Sequence, residues 1–273
     1  MFEKHQIKES CVNIKTRNNK IDVIQKGVTK SSFKRWYGEF KKFMEIDFMP
    51  KMEVIPYNDP NTPRCSVEHP TQRTGIHKIT ANQLLIPIYG EKATRPIAFH
   101  EFTHIYDDYY LLTSMNNSEK HKYIWAYTEY HASYIEMMCA LDFENINNIR
   151  RVTLDSIIHL ERGTKTLKNY LIQEKKDVIL TFNTYMKNPT DELAVDAIRF
   201  MVYYFAKLDF LEKYCPDGVE YFDIGNTFAV KSVETSNDLH KKLQRVNVNE
   251  LSTFKEVYEL TIQMGIDFLS NRR

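Results

Sequence analysis

Two histidines four residues apart, with a glutamate beside the first, make His100-Glu101-Phe102-Thr103-His104 the segment best equipped for chemistry. On a helix, residues four apart sit nearly one above the other, so both imidazoles can aim at one ion. Glu101 is turned about a quarter-circle from that line. It can therefore lie beside a metal and accept a proton from the attacking water instead of binding the ion. Phe102 and Thr103 are uncharged, as the buried side of such a helix requires. Phe99, Phe102, Ile105, Tyr106 and Tyr109 cover the face away from the histidines, and Asp107 and Leu111 share the histidines' face.

A catalytic zinc takes three protein ligands and keeps a fourth position open. A metzincin would need Gly at 107 and His at 110, where this chain has Asp107 and Tyr110. The remaining route is a carboxylate from a following helix. Glu129 is the best placed, because its helical neighbours Ala126, Ala132 and Ser133 are small enough for two helices to approach closely. Glu136, two turns on along the same face, is the second candidate; His131 and Asp108 are weaker ones. Asp107 is either a hydrogen-bond partner of a ligand imidazole or a solvated acid near the helix end. Hydrolysis also needs a donor for the oxyanion. Tyr123, Tyr127, Tyr130 and His131 are all near Glu129 in sequence, and Tyr123 is the first choice, at the start of the ligand helix.

The string His100-Glu101-Phe102-x-His104-x-x-Asp107-Asp108-Tyr109 resembles the active-site helix of gluzincin peptidases, the anthrax lethal factor catalytic domain and its relatives in particular. Glu129-x-x-Ala132 resembles the third-ligand segment of that family and of the ImmA/IrrE intracellular peptidases. The resemblance covers about 45 residues and implies a zincin-like fold around one zinc ion per chain. Carried over by position, it makes His100, His104 and Glu129 the ligands and Glu101 the general base. Thr103 stands where both families carry Gly, and Lys122 stands where the catalytic Tyr is expected, with Tyr123 one place late.

The elements that must hold these residues read as follows. Phe33, Trp36, Tyr37, Phe40, Phe43 and Met44 recur at three- and four-residue steps, which predicts an amphipathic helix over 29–46. The first 26 or so residues are polar and basic, without a clear period. Strands are expected at 52–57 and 76–89, with a proline-rich loop over 56–70 between them. The second strand is expected to line the cleft and pair with an extended substrate. Pro96 suits the first turn of a helix reaching Leu112, and Ser118 is a candidate N-cap for one reaching Leu141. Further helices are expected at 151–160, 164–187, 191–214 and 250–270, with irregular chain over 215–250. The fold class is α+β, predominantly α. A zincin-like catalytic core over 1–145 precedes a helical lobe over 146–273.

Composition sets the outer limits. Only 8 Gly and 9 Pro argue against a turn-rich all-β fold. A net charge of +1 gives no reason to expect nucleic acid or an acidic membrane as partner. The charged N-terminus has no apolar stretch behind it, no run is long enough to span a bilayer, and the four dispersed cysteines read as thiols, so a cytoplasmic location is expected. His69 and His77 flank a loop and are expected to face solvent, and His159 is read as structural. The expected function is zinc-dependent hydrolysis of a peptide or protein substrate. The rivals are a non-enzymatic binding or regulatory protein with the zincin fold, and a metal-dependent hydrolase of a non-peptide amide.

Overall fold

The computed structural model describes residues 3–61, 64–70, 75–113, 115–160, 163–222 and 230–270. The first helix, α1, runs from Glu3 to Phe43, well upstream of the periodic stretch that announces it. Upstream of Thr29, Ile21, Val23, Ile24 and Val28 are exposed, so that stretch of the helix has no buried apolar stripe for periodicity to report. Its last turns pack Phe33, Tyr37 and Phe40 around Phe102, with ring centroids 6.2, 5.0 and 5.7 Å away.

A three-stranded sheet follows, in the order β1-β3-β2. β1 (Met52–Tyr57) pairs parallel with β3 (His77–Asn82), and β2 (Cys65–Glu68) pairs antiparallel with β3. β2 lies inside the stretch expected to be loop; at four residues among prolines it is too short to show alternation. The expected strand over 76–89 ends at Asn82. There the Asn82 side chain accepts the N–H of Leu84, a local turn that competes with the sheet ladder. Residues Leu85–Tyr89 form a short helix, α2, closed at Gly90, whose φ of 80° suits glycine. β3 has neighbours on both sides, so β1 and β2 are the edge strands, and β2 is the one that borders the cavity over His100 and His104.

The histidine-bearing helix, α3, spans Glu91–Tyr110, starting five residues before Pro96. The next helix, α4, spans Asn117–Ala140, and its N-cap is Asn116, which accepts the N–H of Glu119, rather than Ser118. Residues expected to be helical at 151–160 instead lead into a hairpin of β4 (Ile157–Leu160) and β5 (Gly163–Thr166). Ile157 to Leu160 alternate between outer and buried positions, a strand pattern too short to outweigh the surrounding apolar residues. α5 (Leu167–Lys187), α6 (Asp191–Tyr214) and α8 (Leu251–Ser270) match expectation closely, and Thr190 caps α6. A 3-10 turn (Pro216–Tyr221) and α7 (Val230–Gln244) occupy the stretch expected to be irregular. The result is α+β and predominantly α. One buried apolar cluster continues from Phe33 to Met264, across residue 145, and joins the sheet and its helices to α5, α6 and α8.

Phe102 is fully buried at the centre of this cluster and belongs to the chemistry-bearing helix. Phe102→Ala should lower unfolding free energy by about 3–5 kcal/mol, measured by urea denaturation. A loss under about 1 kcal/mol would mean that α3 is not anchored through this ring.

Candidate metal centre

α3 and α4 pack side by side, with Ala126, Ala132 and Ser133 of α4 buried along the contact. The small side chains let the backbones close up, and Glu129 then reaches the histidines of α3. Its Oε2 lies 3.4 Å from His100 Nε2 and 3.6 Å from His104 Nε2. A tetrahedral zinc with bonds of about 2.0–2.1 Å holds its ligand atoms about 3.3 Å apart. The three donors therefore fit a zinc ion in both chemistry and separation.

The groups behind these donors fix their orientation. His104 Nδ1 is 3.0 Å from Thr128 Oγ1, and Thr128 donates its only proton to Asp107 Oδ2 at 2.8 Å. Thr128 must then accept from His104 Nδ1–H, which leaves the Nε2 lone pair facing Glu129. Asp107 thus acts on the ligand through Thr128, and its other oxygen holds His131 Nδ1 at 2.9 Å. Glu136 sits on the outer nitrogen of His100, 3.2 Å from Nδ1, and so orients that ring instead of supplying the third ligand.

The carboxylates leave the centre short of positive charge. Burial works against protonating His100, yet hydrogen bonds to Glu129 and Glu136 outweigh it and raise the ring to about 10. Burial above all takes His104 down to about 3, with the Glu129 charge opposing it and the neighbouring imidazoles His100, His69 and His131 adding to it. Glu129 is held down at about 2: burial opposes its ionisation, and the two histidines and Tyr203 overcome that. Burial raises Glu101 to about 8, the charge of His100 pulling against it and that of Glu129 adding to it. The Val67 backbone bonds the Glu101 carboxyl group, tying it to β2.

Two residues of α6 complete the centre, and neither was visible in the sequence reading. Tyr203 OH donates to Glu129 Oε2 at 2.8 Å, and Arg199 Nε lies 3.4 Å from Glu129 Oε1. Arg199 and Tyr203 are one helical turn apart, so one face of α6 presents both. They stand 70 residues or more from Glu129, and no local spacing links them to the motif. Tyr123 is not brought to the site; its ring packs edge-on against Tyr258 at 5.4 Å and does not line the cavity. Tyr130 donates to Asp209, and Tyr127 packs against Phe254. His77 is fully buried and bonded to Asp108, and His69 lines the cavity, so neither is the solvent-facing loop residue expected. His159 is hydrogen-bonded to Thr164 within the β4–β5 hairpin.

The cavity over the histidines has a volume of about 500 Å³ and is bounded by Ser66 and Val67 of β2, Trp125 of α4 and Arg199 of α6. β2, not β3, lines the cleft. No family model, curated protein or solved structure matches the chain. Among the described residues, no helix is long and apolar enough to cross a membrane.

Two predictions follow from the ligand environment. His100, raised to about 10, is protonated at pH 7, and zinc needs the neutral ring. Zinc binding at pH 7 should release about one proton, and affinity should rise with pH until about 10. Titration calorimetry in buffers of different ionisation enthalpy measures this; no proton release would contradict the charge assignment. Thr128→Val should weaken zinc about 10–100-fold by removing the acceptor of His104 Nδ1, read by competition with a chelating dye.

Proposed function

We propose that this chain is a zinc-dependent metallopeptidase of the gluzincin type. The observation that carries the reading is the convergence of His100, His104 and Glu129 on one point, with the Glu101 carboxyl beside them in the same cavity. Three protein donors leave an open position, which is the catalytic rather than the structural pattern. The resemblance of the His100–Tyr109 string to gluzincin active-site helices supports the same assignment.

When bound, zinc supplies Lewis acidity toward the scissile carbonyl and toward water. The chain supplies the rest. Glu101 takes the proton from the attacking water and then passes it to the leaving amine. Its placement near pH 8 by burial, drawn down by neighbouring positive charge, suits a group that must both accept and release a proton. Thr128 and Glu136 hold the two imidazoles in the ligating orientation. Tyr203 replaces Tyr123 as the proposed oxyanion donor. Its hydroxyl already lies against the ligand carboxylate, and burial first, then the Glu129 charge, keep it protonated well above the usual tyrosine range. Arg199 holds the other oxygen of Glu129 and adds a positive charge beside the developing anion. The free edge of β2 offers backbone groups along the cavity, which suits a substrate bound as an extended strand. The proposed substrate is therefore a peptide or an unstructured protein segment.

The decisive experiment pairs metal analysis with cleavage of a peptide library. Wild type should carry zinc and cleave; Glu129→Ala should lose about one zinc per chain together with activity. Glu101→Gln should keep zinc and lose hydrolysis. Tyr203→Phe should keep zinc while kcat falls about 10²–10³-fold with little change in KM. Full activity in Glu101→Gln would sink the mechanism.

A further inference from the structure

A second group of ligating side chains converges on the wall of the same cavity, drawn from four different elements. His77 begins β3, His69 follows β2, Asp108 lies on α3 and His121 on α4. His77 Nε2 is 2.8 Å from Asp108 Oδ2, and His69 Nδ1 is 3.7 Å from the same oxygen. His121 Nε2 is 3.8 Å from Asp108 Oδ1, and the His69 and His121 rings lie 4.3 Å apart.

Hydrogen bonding accounts for the His77–Asp108 contact but not for the approach of His69 and His121. Separations of 3.7 and 3.8 Å are too long for hydrogen bonds, yet they match ligand atoms that share one ion. His69 Nδ1, His77 Nδ1 and Asp108 Oδ1 are buried without a hydrogen-bond partner. His77 and Asp108 are almost wholly inaccessible, at 0 and 2% exposure. Lys120 is a fixed cation nearby; its ammonium group is bonded to the Asp108 backbone carbonyl and stays 4.0 Å from Oδ1. Oδ2, the oxygen that faces His69 and His77, is left to them.

We propose that His69, His77, Asp108 and His121 form a second, structural site for zinc or a similar divalent transition metal. Three imidazoles and one carboxylate make a closed four-ligand set, which distinguishes it from the open set at His100, His104 and Glu129. The donors of His69, His77 and Asp108 already lie within 4.8 Å of one another. Closing the set requires a widening of the 2.8 Å His77–Asp108 contact by about half an ångström and a swing of the partly exposed His121, which faces Oδ1, toward the ion. The bound ion ties the residue after the edge strand β2 to α3 and α4, and so fixes the cavity wall. The proposal stands on its own residues and does not depend on the metallopeptidase reading.

The test begins in a His100→Ala/His104→Ala background, which abolishes the first centre in the full chain. That protein should still hold about one zinc per chain by elemental mass spectrometry, and zinc should raise its Tm by several degrees. Adding His69→Ala/His121→Ala, two partly exposed positions, should remove both the zinc and the thermal shift. No zinc in the background protein, or zinc unchanged by the second pair, overturns the proposal. In the otherwise wild-type chain, stoichiometry should fall from about two to about one on His69→Ala/His121→Ala; an unchanged value also overturns it. Failure of the first centre would show itself separately, as zinc insensitive to Glu129→Ala.

Discussion

Glu129 is buried to 9% exposure between two helices, where an unpaired carboxylate would be several kcal/mol too costly to keep ionised. It stays ionised because four groups from two other helices meet it: His100 and His104 of α3, Arg199 and Tyr203 of α6. Breaking any one of these leaves charge buried without an answer. This is why α3, α4 and α6 must pack in one particular register, and why the small residues of α4 and the aromatic seam behind α3 matter to the site. The rings of Phe99 and Phe102 seat α3 on α1, and the opposite face is thereby held against α4. A site built this way takes its precision from helix packing, since every donor sits on a helix and none on a loop.

The surplus of carboxylates gives the centre its chemical character. Glu101, Glu129 and Glu136 all act on His100. Without a cation among them, the ring takes up a proton; with a divalent ion, the same field favours binding and the proton leaves. A single electrostatic arrangement therefore accounts for the raised His100 and the depressed Glu129, and it is the field that the proposed metal ion would meet. Tyr203, confined beside the same carboxylate, cannot ionise and remains available as a donor.

How much of this could be read from the sequence followed from how local each signal was. His100, Glu101 and His104 lie within five residues, and helical spacing alone placed them. Glu129 was legible because its small neighbours revealed the face on which two helices would meet. Arg199 and Tyr203 were not, since a polar pair on a long helix has no address until α6 is folded against α4. The same reasoning explains Tyr123: six residues before Glu129 on α4 it is well over one turn away, on a side that packs against Tyr258 of α8. Of the fold, α5, α6 and α8 were legible from caps and period. β2, β5 and α2 are only four or five residues long, too short for alternation or an apolar stripe to appear, and the buried Leu239 and Leu243 of α7 stand among mostly polar residues.

Asp107 and Asp108 show how one helix serves both groups of ligating residues. Consecutive residues on a helix diverge by about 100°. Asp107 turns toward α4, where it holds Thr128 and His131, and through Thr128 sets the tautomer of His104. Asp108 turns toward the sheet and meets His77 at the first position of β3. The two carboxylates thus clamp the last turns of α3 between α4 on one side and the sheet on the other. Any rotation of α3 that improved one set of contacts would loosen the other, so the orientation of His100 and His104 is fixed from both directions. The edge strand belongs to the same clamp, since Val67 bonds Glu101 and His69 reaches Asp108. Val67, Glu101 and the proposed ligands His100 and His104 are consequently referred to one helix, α3.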